Sequence, residues 1–99
     1  MRNIIAAEAL NFPDIDLVEN FQFDCTTSYG NFNFLFKWMN GRWNSWVTLP
    51  DGTIRQAGVY PNVISWTGHT DYGIVFVTDL TAIDYSSLFL TELKLLKWE

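Results

Sequence analysis

The stretch that decides the fold is residues 31–49, NFNFLFKWMNGRWNSWVTL, in which two alternating runs flank an Asn-Gly step. In the first run four aromatic residues fall on one face: Phe32, Phe34, Phe36 and Trp38. A period of two is typical of a β-strand with one buried face. Asn40-Gly41 is the preferred dipeptide for a two-residue type I′ turn, because both positions require positive φ. The stretch therefore predicts a hairpin whose return strand covers residues 42–49.

A two-residue turn also fixes which residues of the two strands face each other. The expected pairs are Met39 with Arg42, Trp38 with Trp43, Phe36 with Ser45, Phe34 with Val47 and Phe32 with Leu49. One face is then almost wholly apolar and is predicted to face the core. Trp38 and Trp43 close its end as a cross-strand pair, which stabilises the hairpin by about 0.2–1 kcal/mol. The other face carries polar residues: Asn33, Lys37, Arg42, Asn44 and Thr48.

Leu35 and Trp46 are expected opposite each other on this polar face. Large apolar side chains in such positions are either covered by another part of the fold or exposed for a partner. The sequence leaves both alternatives open: a second sheet that covers Leu35 and Trp46, or an open contact surface.

Other short segments with strand character recur every eight to twelve residues, separated by turn residues. Residues 21–25 alternate Phe and Cys with Gln and Asp, and residues 53–57 follow a Pro-Asp-Gly turn. Residues 74–78, IVFVT, are expected to form a central buried strand. Residues 91–99, TELKLLKWE, are expected to form an edge strand whose lysines discourage pairing with other chains.

These patterns predict an all-β fold, a small antiparallel β-sandwich or barrel-like meander of about seven short strands. Residues 84–88, DYSSL, add a single helical turn capped by Asp84. The length of 99 residues is that of one domain. Residues 20–99 are expected to form this β domain. Residues 1–19, which are acidic and loop-like, are expected to be an N-terminal arm or extension.

Charge and cysteine content exclude several classes of function. The net charge is −5 and there is no run of basic residues, so we expect no binding to nucleic acid or to anionic membranes. No apolar run reaches about 18 residues, and the first ten residues are too short and acidic for a secretory signal, so synthesis in the cytoplasm is expected. Cys25, the single cysteine, is expected to be a small buried apolar residue.

No group of residues predicts catalysis. His69 is the only histidine, and although Asp71 lies two residues away, no nucleophile motif accompanies them. Asp14 and Asp16 lack the further oxygen ligands and the glycine of a calcium loop. We therefore expect no enzyme activity, no cofactor and no metal.

Two kinds of binding protein remain. Aromatic residues make up 17% of the chain, which fits either a heavily aromatic core or a surface for a partner. A carbohydrate-binding β-sandwich would use Trp46, Tyr60, Trp66 and Tyr72 as its platform. The loops that carry the last three lack the dense Asp, Asn and Gln residues expected around a sugar. This favours a structural interaction module.

From the hairpin onward, the order of segments resembles that of the small plug-like proteins in the baseplates of contractile-tailed bacteriophages. The resemblance covers roughly residues 20–99 and consists of turn residues, an aromatic strand and a closing strand that ends near an aromatic residue. The residues that carry it are Asn40, Gly41, Trp43, Asp51, Gly52, Gly58, Gly73 and Asp79. Residues 1–19 lie outside it.

The resemblance implies a non-enzymatic virion protein of the tail baseplate, present in several copies around the tail axis. Such a protein braces the hub or central spike through contacts with hub, tube or sheath-associated neighbours. Interface cores are enriched in aromatic residues, Met and Arg. The residues expected to contact partners are Leu35, Met39, Arg42, Trp46, Tyr60 and Trp66. A small carbohydrate-binding β-sandwich module is the alternative.

Overall fold

The computed structural model describes residues 3–67, 69 and 71–99, which form two antiparallel sheets packed face to face. The strands are β1 (Ile4–Leu10), β2 (Asn20–Thr27), β3 (Gly30–Met39), β4 (Arg42–Thr48), β5 (Ile54–Gly58), β6 (Tyr72–Val77) and β7 (Glu92–Trp98). Sheet A has the strand order β1-β7-β6, and sheet B has the order β2-β3-β4-β5. The expected all-β fold of about seven strands is confirmed, as two separate sheets.

The hairpin of β3 and β4 has the predicted turn and register. Asn40 and Gly41 have φ angles of 56° and 74°, the left-handed conformation that a type I′ turn requires. The predicted pairs found in the ladder are Met39–Arg42, Trp38–Trp43, Phe36–Ser45 and Phe34–Val47. The fifth expected pair lies beyond the end of β4, and both of its members are buried in the core.

The inner face of β3 supplies much of the core. Phe32, Phe34 and Phe36 are completely buried between the two sheets. The Phe36 ring meets Phe76 of β6 edge-on, with 6.0 Å between the ring centroids. Two buried leucines of β7 face the same cluster. The alternating aromatic residues of β3 therefore join sheet B to sheet A.

Trp43 connects the β3–β4 hairpin by hydrogen bonds to a 3-10 helix, Tyr85–Leu90, which follows β6 and precedes β7 along the chain. Its Nε1–H donates to the carbonyl oxygens of Asp84 and Tyr85, each at 3.2 Å. The Trp38 ring lies 5.5 Å from the Trp43 ring, so the predicted cross-strand pair is confirmed. The helix begins after Asp84, as predicted, and continues to Leu90. Among the described residues, no helix has the length and apolar character needed to cross a membrane.

The predicted positions of the last two strands are wrong. β7 is the centre of sheet A rather than an edge, because β1 pairs with one side of it and β6 with the other. Its lysines do not require an edge: the half-buried Lys97 places Nζ 3.3 Å from Asp71 Oδ1 at the sheet surface. β6 lies at the edge, yet its middle residues are buried because side chains pack on both faces of the strand.

Residues 4–10, expected to belong to an N-terminal arm, form the edge strand β1 of sheet A. β1 pairs with β7 along its length, and Leu10 at its end is buried in the core. Residues 11–19 then cross to β2 without forming a strand or a helix. Their Phe12 packs against Phe36, with 5.8 Å between the ring centroids. The expected separation of residues 1–19 from the β domain is therefore wrong for this strand, whose partner lies at the other end of the chain.

The β5–β6 connection (residues 59–67) covers the outer edges of the two strands that it joins. Pro61 and Ser65 each form a β-bridge with β6. Ser65 Oγ accepts a hydrogen bond from the Gly58 N–H at 3.1 Å, and Trp66 Nε1–H donates to the Gln56 carbonyl oxygen at 2.9 Å. Unpaired backbone groups on a strand edge invite pairing with other chains. The connection therefore protects β5 and β6 from such pairing.

A second, smaller apolar cluster lies on the outer face of sheet A. Its buried members are Val75, Leu96 and Trp98, and Ile64 packs against them. Trp98 covers Gly73: a Cβ atom at residue 73 would overlap the indole ring. The missing side chain at Gly73 is thus what allows the tryptophan to lie against β6.

We predict that Gly73→Ala destabilises the protein by about 1–3 kcal/mol, because the added methyl group must displace the buried Trp98 ring. Gly58→Ala is the matched control. Its nearest neighbour is the ring of Tyr60, which is 49% exposed and can move into solvent. We expect that control to change the free energy of unfolding by less than about 0.5 kcal/mol.

Urea denaturation measures the free energy of unfolding of both variants. Equal losses from Gly73→Ala and Gly58→Ala would contradict this account. Trp98→Phe, introduced into the Gly73→Ala variant, is expected to recover part of the loss because it removes ring atoms from the overlap.

Candidate functional site

Leu35 and Trp46 lie side by side on the outer face of sheet B, the face that points away from sheet A. Both side chains are half-buried, and sheet A packs on the opposite face of sheet B. Of the two alternatives that the sequence leaves open, the structure therefore has the open surface. A groove of about 290 Å³ passes over the pair, lined by Gln22, Asn33, Leu35, Lys37, Trp46, Thr48 and Ile54.

Strand pairing surrounds this apolar pair with amides. A row across the four strands runs Gln22, Leu35, Trp46 and Gln56. Gln22 Nε2–H donates to Asn33 Oδ1 at 2.7 Å, and Asn33 Nδ2–H donates to Asp24 Oδ1 at 2.8 Å. These bonds orient the amides at one rim of the groove. The outer face thus has an apolar centre with hydrogen-bonding groups beside it.

Met39, Arg42 and Tyr60 extend the same face towards the hairpin tip and the end of β5. Met39 is 40% exposed and lies opposite Arg42 in the ladder. Arg42 and Tyr60 line a second hollow of about 450 Å³, together with Asn44 and Gly58. The structure therefore brings five of the six predicted contact residues to one continuous face.

Trp66 is the predicted contact residue that lies apart from this face. It has a φ of 67°, packs against the main core and uses its Nε1–H in the bond to the Gln56 carbonyl oxygen. Its position gives it a structural role at the edge of β5.

The four residues considered for a sugar platform do not share one surface. Tyr72 lies on the inner side of sheet A, with its ring 5.3 Å from the Phe32 ring and edge-on to it. Lys97 Nζ lies 5.3 Å from the Tyr72 ring centroid. Trp46 lies on the outer face of sheet B. The four residues therefore do not form a single platform.

The outer face of sheet B is less acidic than the chain as a whole. Asp24 is the one acidic residue at the outward positions of the described strands β2 to β5, where Lys37 and Arg42 supply positive charge. The complete chain has a net charge of −5. Low charge and a high aromatic content are typical of the centre of an interface.

His69, for which the sequence predicts no catalytic role, makes hydrogen bonds within its own loop. His69 Nδ1 accepts hydrogen bonds from the backbone N–H groups of Asp71 and Tyr72, at 3.1 and 3.0 Å. These bonds fix the imidazole within its loop. Within residues 3–67, 69 and 71–99, no group of three or more His, Cys, Asp and Glu side chains could hold a metal ion.

Cys25 lies at the edge of the core on β2, as the sequence predicts. Burial raises the pKa of its thiol above the ordinary value, and the neighbouring Asp24 carboxylate raises it further. Because the thiolate is the reactive form, burial and the raised pKa both disfavour reaction of this thiol at neutral pH.

Comparisons of the chain with protein-family models, with curated proteins and with solved structures gave no match. The candidate site is therefore characterised by the residues of this chain alone. Sequence reasoning found its centre, because the two-residue turn fixes the register of β3 and β4. Gln22 and Gln56 were not predicted because the sequence was used to fix the register of the β3–β4 hairpin alone; the two-residue turn at Ser28 and Tyr29, which aligns β2 with β3, lacks an Asn-Gly signal. The amide side chains of Gln22 and Gln56 within short alternating strands were the available signal.

We predict that Trp46→Ala costs less than about 1.5 kcal/mol in the free energy of unfolding, because its half-buried indole packs on a single sheet. Trp43→Ala is the matched comparison. Trp43 is 3% exposed and donates to the 3-10 helix, so we expect a loss of about 3–5 kcal/mol. Chemical denaturation monitored by circular dichroism measures both. A loss from Trp46→Ala as large as that from Trp43→Ala would mean that Trp46 is a core residue.

We predict that Cys25 in the folded protein reacts with a disulfide reagent at pH 8 about a hundredfold or more slowly than in urea-unfolded protein, because it is buried and protonated. The reaction rates are measured from the absorbance of the coloured thiolate that the reagent releases. A folded-state rate within about threefold of the unfolded rate would show that the thiol is exposed.

Proposed function

We propose that this chain is a non-enzymatic structural protein of a contractile tail baseplate that acts through protein contacts on the outer face of sheet B. The observation that carries the contact surface is the exposed apolar centre of that face. Leu35 and Trp46 lie there with Ile54, which is 67% exposed, and with Met39. An apolar and aromatic centre with a polar rim is the usual anatomy of a protein interface.

The baseplate role rests on the resemblance to the plug-like baseplate proteins. The residues that carry this resemblance lie in turns and at close packing contacts. Gly52 has a φ of 90° in the turn after β4, and Asp51 Oδ1 accepts hydrogen bonds from the Thr53 backbone N–H at 3.0 Å and hydroxyl at 2.7 Å. Gly58 lies beneath Tyr60, and Gly73 beneath Trp98. These residues support turns and close packing. Because these roles are structural, membership of a tail baseplate is the part of the proposal that must be tested directly.

Carbohydrate binding is the second candidate, and one observation favours it. The Trp46 indole lies in an open groove with the amide of Gln22, hydrogen-bonded to Asn33, at one side and the hydroxyl of Thr48 nearby. Flat apolar rings flanked by oriented amides can stack on a sugar and accept or donate to its hydroxyl groups. The outer face of sheet B is therefore compatible with either a protein or a sugar as its partner.

We predict that cross-linking mass spectrometry on purified tail particles from the source finds this chain joined to hub, tube or sheath-associated proteins. Trp46→Ala is expected to lower the number of copies per particle about threefold or more, because truncating an interface anchor commonly costs more than 1 kcal/mol of binding. Val63→Ala is the matched control, since Val63 is 52% exposed on the β5–β6 connection, away from this face.

If the chain is absent from every particle, the baseplate proposal fails. If the chain is present but Trp46→Ala and Val63→Ala assemble equally well, the contact surface lies elsewhere. The carbohydrate candidate is examined on the purified protein by tryptophan fluorescence with a panel of sugars. A saturable change that disappears in Trp46→Phe would favour it over a protein partner.

A further inference from the structure

β1 is an edge strand, and no second described strand forms a ladder with it. Each sheet has two edges, and the β5–β6 connection covers β5 and β6. β2 is an edge strand of sheet B, and the Asn11 carbonyl oxygen of the segment that precedes it lies 3.9 Å from the Cys25 thiol. β1 pairs only with β7 among the described strands. Unpaired backbone groups of this kind are a template for an added strand.

β1 lacks two of the usual protections of an edge strand. Its sequence, IIAAEAL, contains no Lys and no Pro, the residues that commonly protect edge strands. Ile4 and Ile5 are 50% and 58% exposed, and Ala7 and Ala9 are exposed as well. The β-bulge in the ladder is confined to the first residues, and pairing with β7 is regular from Ala6 onward.

Glu8 is the single charged residue of β1, and its carboxylate is held by a hydrogen bond from another segment. Glu8 Oε1 accepts a hydrogen bond from the Ser28 backbone N–H at 3.1 Å, which holds the carboxylate towards the turn between β2 and β3. In an antiparallel pair of two β1 strands centred on Ala7, Glu8 lies opposite Ala6 and the two Ala7 residues face each other. Like charges are therefore not opposite each other.

We propose that β1 pairs antiparallel with β1 of a second copy of this chain, so that two three-stranded sheets join into one six-stranded sheet across a two-fold axis. Backbone hydrogen bonds supply the attraction, and small exposed alanines allow the strands to approach without steric conflict. The net charge of −5 on each copy opposes association and keeps it reversible. This pairing is independent of the proposed function, because β1 belongs to sheet A and the proposed contact face belongs to sheet B.

Analytical ultracentrifugation of the full chain tests the pairing. Over about 10 to 500 μM protein, we expect a reversible monomer–dimer equilibrium. Ala7→Lys is expected to raise the dissociation constant about tenfold or more, because two lysines then face each other across the axis. Ala82→Lys is the matched control, since Ala82 is an exposed alanine outside the strands and the charge change is the same. It should leave the constant within about twofold.

Hydrogen exchange on the unmodified protein gives a second readout that does not depend on how a variant folds. Backbone amides of residues 4–10 should become more protected as the protein concentration rises, while those of β5 should not. A protein that stays monomeric throughout the range would overturn the proposal. A dimer that resists Ala7→Lys without concentration-dependent protection of β1 would overturn it too.

Discussion

The burial of Phe32, Phe34 and Phe36 between the sheets is the constraint on which the rest of the structure depends. All three are inaccessible to solvent and belong to the cluster that joins the two sheets. Truncating a buried phenylalanine typically costs about 3–5 kcal/mol, a large fraction of the stability of a small domain. Because side chains alternate along a strand, fixing these rings inward also forces Leu35 outward. The two-residue turn then places Trp46 beside it. The core and the candidate surface are two faces of one hairpin.

The parts of the fold that sequence could predict are those set by local geometry. Asn40 and Gly41 select the turn, the turn selects the register, and the register assigns each residue of β3 and β4 to a face. The start of the 3-10 helix after Asp84 was predictable for the same reason, because a capping residue acts within one turn; its continuation to Leu90 was not predicted. Within the candidate surface, Leu35 and Trp46 follow from the hairpin alone.

The parts that sequence could not predict depend on pairings between distant segments. IIAAEAL has no alternation and contains good helix formers, so only its contact with β7, at the other end of the chain, makes it a strand. The lysines of β7 suggested an edge, yet long side chains can reach solvent from a central strand. Trp66 caps the edge of β5 from a residue with positive φ, an arrangement with no local signature. The amides around Trp46 come from β2, β3 and β5, whose connecting turns lack the Asn-Gly signal that fixes the β3–β4 register.

We propose that a partner covers the outer face of sheet B in the native assembly. Hydroxyl-radical footprinting of the chain in native particles and as purified protein tests this claim most directly, since Trp46 and Met39 carry readily oxidised side chains. Leu90, which is 75% exposed at the end of the 3-10 helix, serves as the reference. We expect oxidation of Trp46 and Met39, relative to Leu90, to fall about fivefold or more in particles, as burial in an interface excludes solvent. Equal relative oxidation in both samples would contradict the account.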